Sequence, residues 1–346
     1  MRIHGLAALF LALSACATLP QGRSYQNPVI DQDFPDPAVI RDLDGAFYVY
    51  ATQGGDPIRN IQVARSEDLV SWSAVGDALP VKPSWASRTQ DFWAPDVYRR
   101  GDTYYLYYSA KPDAALADDK RGLCLAVASA KSPQGPFTDK GAPLLCGEGF
   151  VNIDPYAFDD PATGRTFLYW GSGFGPIKVQ ELGQDRMSFA AGSRPIDLVP
   201  VIRTEDTAEY RRLVEGAWVI LRDGWYYLFF SGDNCCGPKA HYATMVARSR
   251  SATGPFEVRE RPLYLVLEAN ERWVAPGHNS VVRDDAGTDW ILYHGVDVRR
   301  PRSKATDDVN TRRVMLMDRL EWKDGWPEIA GKSPTSGVQR GPVVRR

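Results

Sequence analysis

Cysteine and histidine are both scarce in this chain of 346 residues, which has five of the first and four of the second. No spacing of the two resembles a zinc site, so a zinc-ligated fold or zinc hydrolase has no ligand set here. An excess of basic charge is missing as well. Lys and Arg number 41 against 43 Asp and Glu, for a net charge of −2. That balance excludes the broad basic surface a nucleic-acid binder needs. Long apolar runs are absent too: the most apolar stretch, Gly5 to Leu13, is too short to span a bilayer. No amphipathic helix of any length interrupts the rest. Disorder is excluded by the 44% hydrophobic and 24% charged composition, which supports a sizeable core. Aromatics are what the chain has in quantity. Its 10 Trp and 16 Tyr often stand beside Gly, Asp and Pro, as expected for an all-β protein with surfaces on which sugars stack.

The first residues, Met-Arg-Ile-His followed by the short apolar run, fit an exported leader over residues 1–15. Leu13-Ser14-Ala15-Cys16 resembles the lipobox of bacterial lipoproteins, which implies a lipid on Cys16 and no other membrane contact. Ala17 after the cysteine favours the outer membrane. An ordinary secretory signal cleaved near Ala15 or Ala17 is the alternative. Residues 16–26 then read as a linker. An exported chain permits disulfides. Cys124 and Cys146 are candidates to close a loop between neighbouring strands, whereas the adjacent Cys235 and Cys236 form either a vicinal disulfide or two free thiols.

One unit recurs five times. An alternating aromatic strand appears at Phe47–Tyr50, Tyr104–Tyr108, Thr166–Trp170, Trp225–Phe229 and Trp290–His294, with starts 57, 62, 59 and 65 residues apart. Gly or Asp precedes each strand, as in a hairpin. A third strand follows in several copies, and the turn Gly-Pro-Phe repeats at Gly135 and Gly254. Roughly sixty residues carrying about four strands make a propeller blade. A five-bladed β-propeller is therefore expected over residues 27–330, with a polar tail at 331–346. A pair of β-sandwiches would explain the strands but not their period.

A short strand precedes each aromatic one and lines the central channel of a propeller. Aligned on their hydrophobic residues, the five begin with Asp36, Ala94, Asp154, Glu215 and His278. Asp-Pro is a common turn opener, which would explain any one of these residues. Three acids at one repeat position, facing each other around an axis, need a chemical reason, because like charges in one cavity raise each other's energy. Glycoside hydrolysis supplies one. It needs a carboxylic acid to protonate the leaving oxygen and a carboxylate to activate water, and a third carboxylate can tune the acid.

With those motifs in view, the chain resembles glycoside hydrolase family 43, the five-bladed arabinanases, arabinofuranosidases and β-xylosidases. The resemblance runs from Asn27-Pro28-Val29 to Asp324-Gly325-Trp326-Pro327. It implies that Asp36, in Phe34-Pro35-Asp36-Pro37, is the general base of an inverting enzyme. It likewise makes Glu215, in Val214-Glu215-Gly216, the general acid and Asp154, in Asn152-Ile153-Asp154-Pro155, the residue that tunes it. Trp93, next to Ala94, would contact the sugar; packing in the core is its alternative. His278, in Pro276-Gly277-His278-Asn279-Ser280, would either hydrogen-bond within the channel or help hold a calcium or other ion through water, no cofactor being required. Arg313, nine residues before Trp322, falls where the family places an Arg near the substrate; alternation along a strand lets only one of Arg312 and Arg313 face the cavity, and the spacing to Trp322 selects Arg313.

The substrate so implied is an oligo- or polysaccharide with α-L-arabinofuranosyl linkages, arabinan or arabinoxylan. A β-xylosidase acting on xylo-oligosaccharides is the near alternative. A sugar-binding lipoprotein without catalysis is the distant one, and its mark would be loss of a carboxylate. The five-bladed fructan and sucrose hydrolases are set aside, because their Asn-Asp-Pro-Asn and Arg-Asp-Pro segments are absent.

Overall fold

A computed structural model describes residues 23–118, 120–302 and 311–345, so the leader and Cys16 lie outside the described residues. Five antiparallel sheets follow one another along the chain. The first contains Ala38–Arg41, Phe47–Ala51, Gln62–Ser66 and Trp72–Asp77; the third, Tyr156–Asp159, Thr166–Trp170, Ile177–Glu181 and Ile196–Val199. In the second, Phe92–Arg100, Thr103–Ala110 and Cys124–Ala130 are flanked by the short Thr138–Asp139 and Leu145–Cys146. The fourth has Glu215–Arg222, Trp225–Asn234 and His241–Ser249, with Glu257–Val258 and Leu265–Leu267 both pairing to the last of these. The fifth has Trp273–Arg283, Asp289–Asp297, Arg313–Lys323 and Trp326–Glu328.

Each innermost strand touches the innermost strands of the sheets before and after it, and the fifth touches the first. That cyclic contact makes a five-bladed β-propeller, with the repeated aromatic strand second from the axis in every blade. The second strands are aromatic because they are covered on both faces. Phe47–Ala51 and Thr166–Trp170 are buried at every residue, between neighbouring blades.

The repeated Gly-Pro-Phe turn wedges one blade onto the previous one. Phe137 donates its amide to Ala78 O at 2.8 Å and meets Tyr50 edge-on. Gly135 has φ +85°, and a Cβ there would stand 2.7 Å from Ala78 O, so the turn admits only glycine. At the seam, Asn27 spans the termini: its side chain donates to Met317 O at 3.0 Å and accepts the Met317 amide at 2.9 Å.

The segment expected as a polar tail is tied down among the described residues. Gln339–Arg340 pairs with Ser24–Tyr25, and Val343 is buried with its amide on Asp284. Cys124 and Cys146 sit directly opposite each other on paired strands and are joined by a disulfide. Cys235 and Cys236 are joined as a vicinal pair. Among the described residues no helix is long and apolar enough to cross a membrane.

Candidate active site

The innermost strands share a bulge at their first turn. Trp93 pairs with Ser109 but Asp96 with Tyr107; Glu215 pairs with Ser231 but Trp218 with Phe229; Gly277 pairs with His294 but Ser280 with Leu292. One extra residue is accommodated each time, which bends the strand and re-aims a side chain. In all five blades a residue there adopts positive φ: Asp36 (+59°), Ala94 (+39°), Asp154 (+57°), Gly216 (+63°) and His278 (+51°). Outside glycine this conformation costs roughly 1–2 kcal/mol, and backbone strain of that kind gathers at functional sites.

This register corrects the ring read from hydrophobic residues. The fourth-blade member is Gly216, not Glu215. Glu215 stands one residue earlier, level with Trp93. Ala217 to Leu221 are apolar without a break, so aligning apolar residues slips by one in the fourth blade.

A second layer fixes the ring. Where the second strand of a blade reaches the mouth, its side chain accepts the amide of the ring residue in the next blade. Ala94 donates to Thr52 Oγ1 (2.7 Å), Asp154 to Ser109 Oγ (3.1 Å), His278 to Ser231 Oγ (2.8 Å) and Asp36 to His294 Nδ1 (3.2 Å). The third blade has Gly171 at that register and so offers no acceptor. There Asp154 Oδ2 takes the Gly216 amide itself, at 3.1 Å. Asp154 thus holds the backbone beside Glu215.

The two outer carboxyls lie in opposite electrostatic settings. Asp36 is buried, which alone would raise its pKa. Arg313 Nη1 at 2.9 Å and the nearby His278 and His294 more than offset this, and hold it well below the usual carboxylate range. Thr52 Oγ1 donates to its other oxygen at 2.5 Å. Glu215 is also buried, with no ion-paired cation among the described residues. Burial, with a smaller push from the Asp36 charge, raises it to about 7, against the pull of two hydroxyl donors. These are Tyr242 Oη, 2.8 Å from Oε1, and Ser172 Oγ, 3.0 Å from Oε2. Asp154 is raised by burial first and then by the Glu215 and Asp36 charges. One group is kept charged and another protonated near neutral pH, the separation that acid/base chemistry requires.

The sequence-read residues gather unequally. Asp36, Asp154 and His278 converge on one point: His278 Nδ1 is 3.5 Å from Asp36 Oδ1 and 3.7 Å from Asp154 Oδ2. Burial lowers the His278 pKa despite the Asp36 charge, so it faces them as neutral imidazole. Of the adjacent arginines, Arg313 meets Asp36, whereas Arg312 is buried against Asp31. Trp93 is half-buried. Among the described residues no three His, Cys, Asp or Glu side chains could hold a metal directly, so the donors near His278 do not fit a directly ligated ion. Below the ring the axis narrows to water-sized room of about 10 Å³, beside Asp96 and Asn279.

Sequence reasoning missed four side chains: Thr52, Ser172, Tyr242 and His294. His294 is fully buried, with its pKa pushed down to about 4 by burial. Its ring stacks parallel to Tyr242, with centroids 5.7 Å apart. Asp36 and Glu215 are therefore linked through the two stacked rings, His294 on Asp36 and Tyr242 on Glu215. A signal was available for two of them, since Thr52 and His294 stand with Ser109 and Ser231 at one register, at or near the mouth ends of the aromatic strands.

The comparisons agree with this geometry. The family model for glycosyl hydrolases family 43 matches residues 25–327. The extracellular exo-α-(1→5)-L-arabinofuranosidase ArbA of Cellvibrio japonicus is 26% identical, over 89% of each chain. The β-D-galactofuranosidase of Aspergillus niger is 29% identical, over 93% of this chain and 89% of its own. The crystal structure of a thermostable family-43 glycoside hydrolase superposes with a TM-score of 0.73 at 28% identity, covering 93% of this chain and all of that one. A family match over most of the length, on a propeller whose mouth holds one charged and one protonated carboxyl, is conclusive: the chain belongs to glycosyl hydrolases family 43.

Proposed function

We propose that the chain hydrolyses α-L-arabinofuranosyl linkages in arabinan or arabinoxylan fragments, by single displacement with inversion. Glu215 donates its proton to the glycosidic oxygen while Asp36 takes a proton from the water attacking the anomeric carbon. Arg313 and Thr52 keep Asp36 charged and aimed. Asp154 orients Glu215 through the Gly216 amide, and Trp93 offers its ring to the sugar. An inverting pair sits roughly 6.5–9.5 Å apart to seat the water. The observation that carries the reading is the opposite tuning of Asp36 and Glu215 around one mouth. No step passes through a metal; a calcium or other ion at His278 would be held through water. The choice of arabinose is supported by the arabinose-directed relative, while a β-xylosidase would use the same carboxyls. The test is a panel of nitrophenyl α-L-arabinofuranoside, nitrophenyl β-xyloside and linear arabinan. Nitrophenol from the arabinoside supports the reading, and release from the xyloside alone overturns it.

The tuning sets the pH profile. Activity needs Glu215 protonated, so it is lost as pH rises through about 7, and Asp36 stays charged well below that. The Tyr242 hydroxyl stabilises the ionised form of Glu215. Tyr242→Phe therefore moves the alkaline limb of kcat to higher pH, by up to about one unit. A limb that stays in place would remove Glu215 as the titrating acid.

The proposal extends to location. Residues 1–15 act as an exported leader, and Cys16 carries a lipid that holds residues 27–330 at the outer membrane. Cys16→Ala should move the protein from the membrane fraction to the soluble one. Unchanged membrane association would contradict the anchor.

A further inference from the structure

Ser172 and Tyr242 hold Glu215, and the loop that carries Ser172 also bears the one exposed phenylalanine among the described residues. Ser172, whose hydroxyl reaches Glu215 Oε2, belongs to the segment 171–176 between the second and third strands of the third blade. Two residues on, Phe174 is 62% exposed and sits at φ +60°. A phenylalanine gains nothing from water contact, and its left-handed backbone costs roughly 1–2 kcal/mol. Folding gives no return for either.

The loop is nonetheless held in place. Gly171 donates its amide to Ile153 O at 3.1 Å, and a Cβ on Gly173 would stand 2.9 Å from Val151 Cα. Phe150, half-buried and four residues before Asp154, meets the Phe174 ring edge-on with centroids 5.8 Å apart. The exposed ring is thus buttressed from behind by a second ring, and both segments are anchored on the carboxyl cluster.

Position relative to the acid decides what such a ring can meet. A general acid protonates the leaving-group oxygen, so the departing sugar lies on the side of Glu215. Phe174 is on the loop that touches Glu215. The C–H face of a furanose or pyranose ring is apolar enough to stack on a benzene ring, the usual way an aromatic contributes beside a few polar groups in a sugar site. Taking the family-43 mechanism as proposed above, we infer that Phe174, backed by Phe150, is the platform for the first sugar beyond the scissile bond. It selects oligosaccharide leaving groups over small ones.

The test compares arabinotriose with methyl α-L-arabinofuranoside. Both need the acid, but only the first has a leaving sugar to stack. Phe174→Ala should lower kcat/KM for arabinotriose about tenfold and leave the methyl glycoside within about twofold. Phe174→Tyr should restore the difference, because the ring face is kept. Equal losses on both substrates would mean that the loop only positions Glu215, and no loss on either would mean that the ring meets no sugar; each overturns the inference. Inactivity of the wild type on both arabinosides would instead overturn the proposed function on which this subsite rests.

Discussion

Asp36→Asn should lower turnover by about 10⁴-fold, and by a similar factor on every substrate. In the proposed mechanism the carboxylate takes the proton from water, and no leaving group, however good, removes that need. The amide cannot act as the base, yet it keeps the shape and one of the two contacts, since Thr52 Oγ1 and Arg313 Nη1 reach different oxygens and only the carbonyl oxygen still accepts. Substrate affinity should therefore survive. Stopped or steady-state assays on arabinotriose and on an activated aryl arabinofuranoside check this directly. A variant that keeps turnover within a few fold on either would remove Asp36 from the chemistry.

Glu215→Gln has a different signature. The loss should be about 10³-fold on arabinotriose, whose alkoxide leaving group must be protonated. On α-L-arabinofuranosyl fluoride or a dinitrophenyl arabinofuranoside it should be no more than about tenfold, because fluoride and dinitrophenolate depart without a proton. The alkaline limb near pH 7 should vanish with those activated substrates. Equal losses across leaving groups would contradict the acid role and point to a residue that merely shapes the cavity. The two variants together separate base from acid, which neither does alone.

Most of the fold was legible because it repeats. The aromatic strand and the Gly-Pro-Phe turn recur with the blade. The strand fills the space between sheets, and the turn wedges one sheet on the next. Asp36, Asp154 and His278 were legible for the same reason, since equivalent positions in a closed ring must face one axis. The limit lay where the repeat is imperfect. Glu215 stands one residue before the ring, and the unbroken apolar run Ala217 to Leu221 offers no alternation to fix the register there. His294 and Tyr242 escaped because they act from the second and third strands, where aromatic residues are expected as filler. Only their partners distinguish them: one reaches the amide of Asp36, the other the carboxyl of Glu215. Alternation allowed only one of Arg312 and Arg313 to face the cavity, the spacing to Trp322 selected Arg313, and the contact with Asp36 gives that choice its physical content.

The inter-blade clasps also explain why Asp154 is an acid rather than any ring-former. Gly171 leaves the fourth blade without the side-chain acceptor that Thr52, Ser109, Ser231 and His294 provide elsewhere. Ser172, the next residue, reaches Glu215, and Asp154 supplies the missing acceptor. Support and tuning of the acid thus come from one exchange of residues in the third blade.

The deciding measurement is the configuration of the first sugar released, followed by proton NMR before the anomers equilibrate. Water delivered by Asp36 from the face opposite Glu215 must give β-L-arabinofuranose first from an α-linked substrate. Early appearance of the α anomer would mean two displacements through a covalent intermediate, and the assignment of these two carboxyls would be wrong.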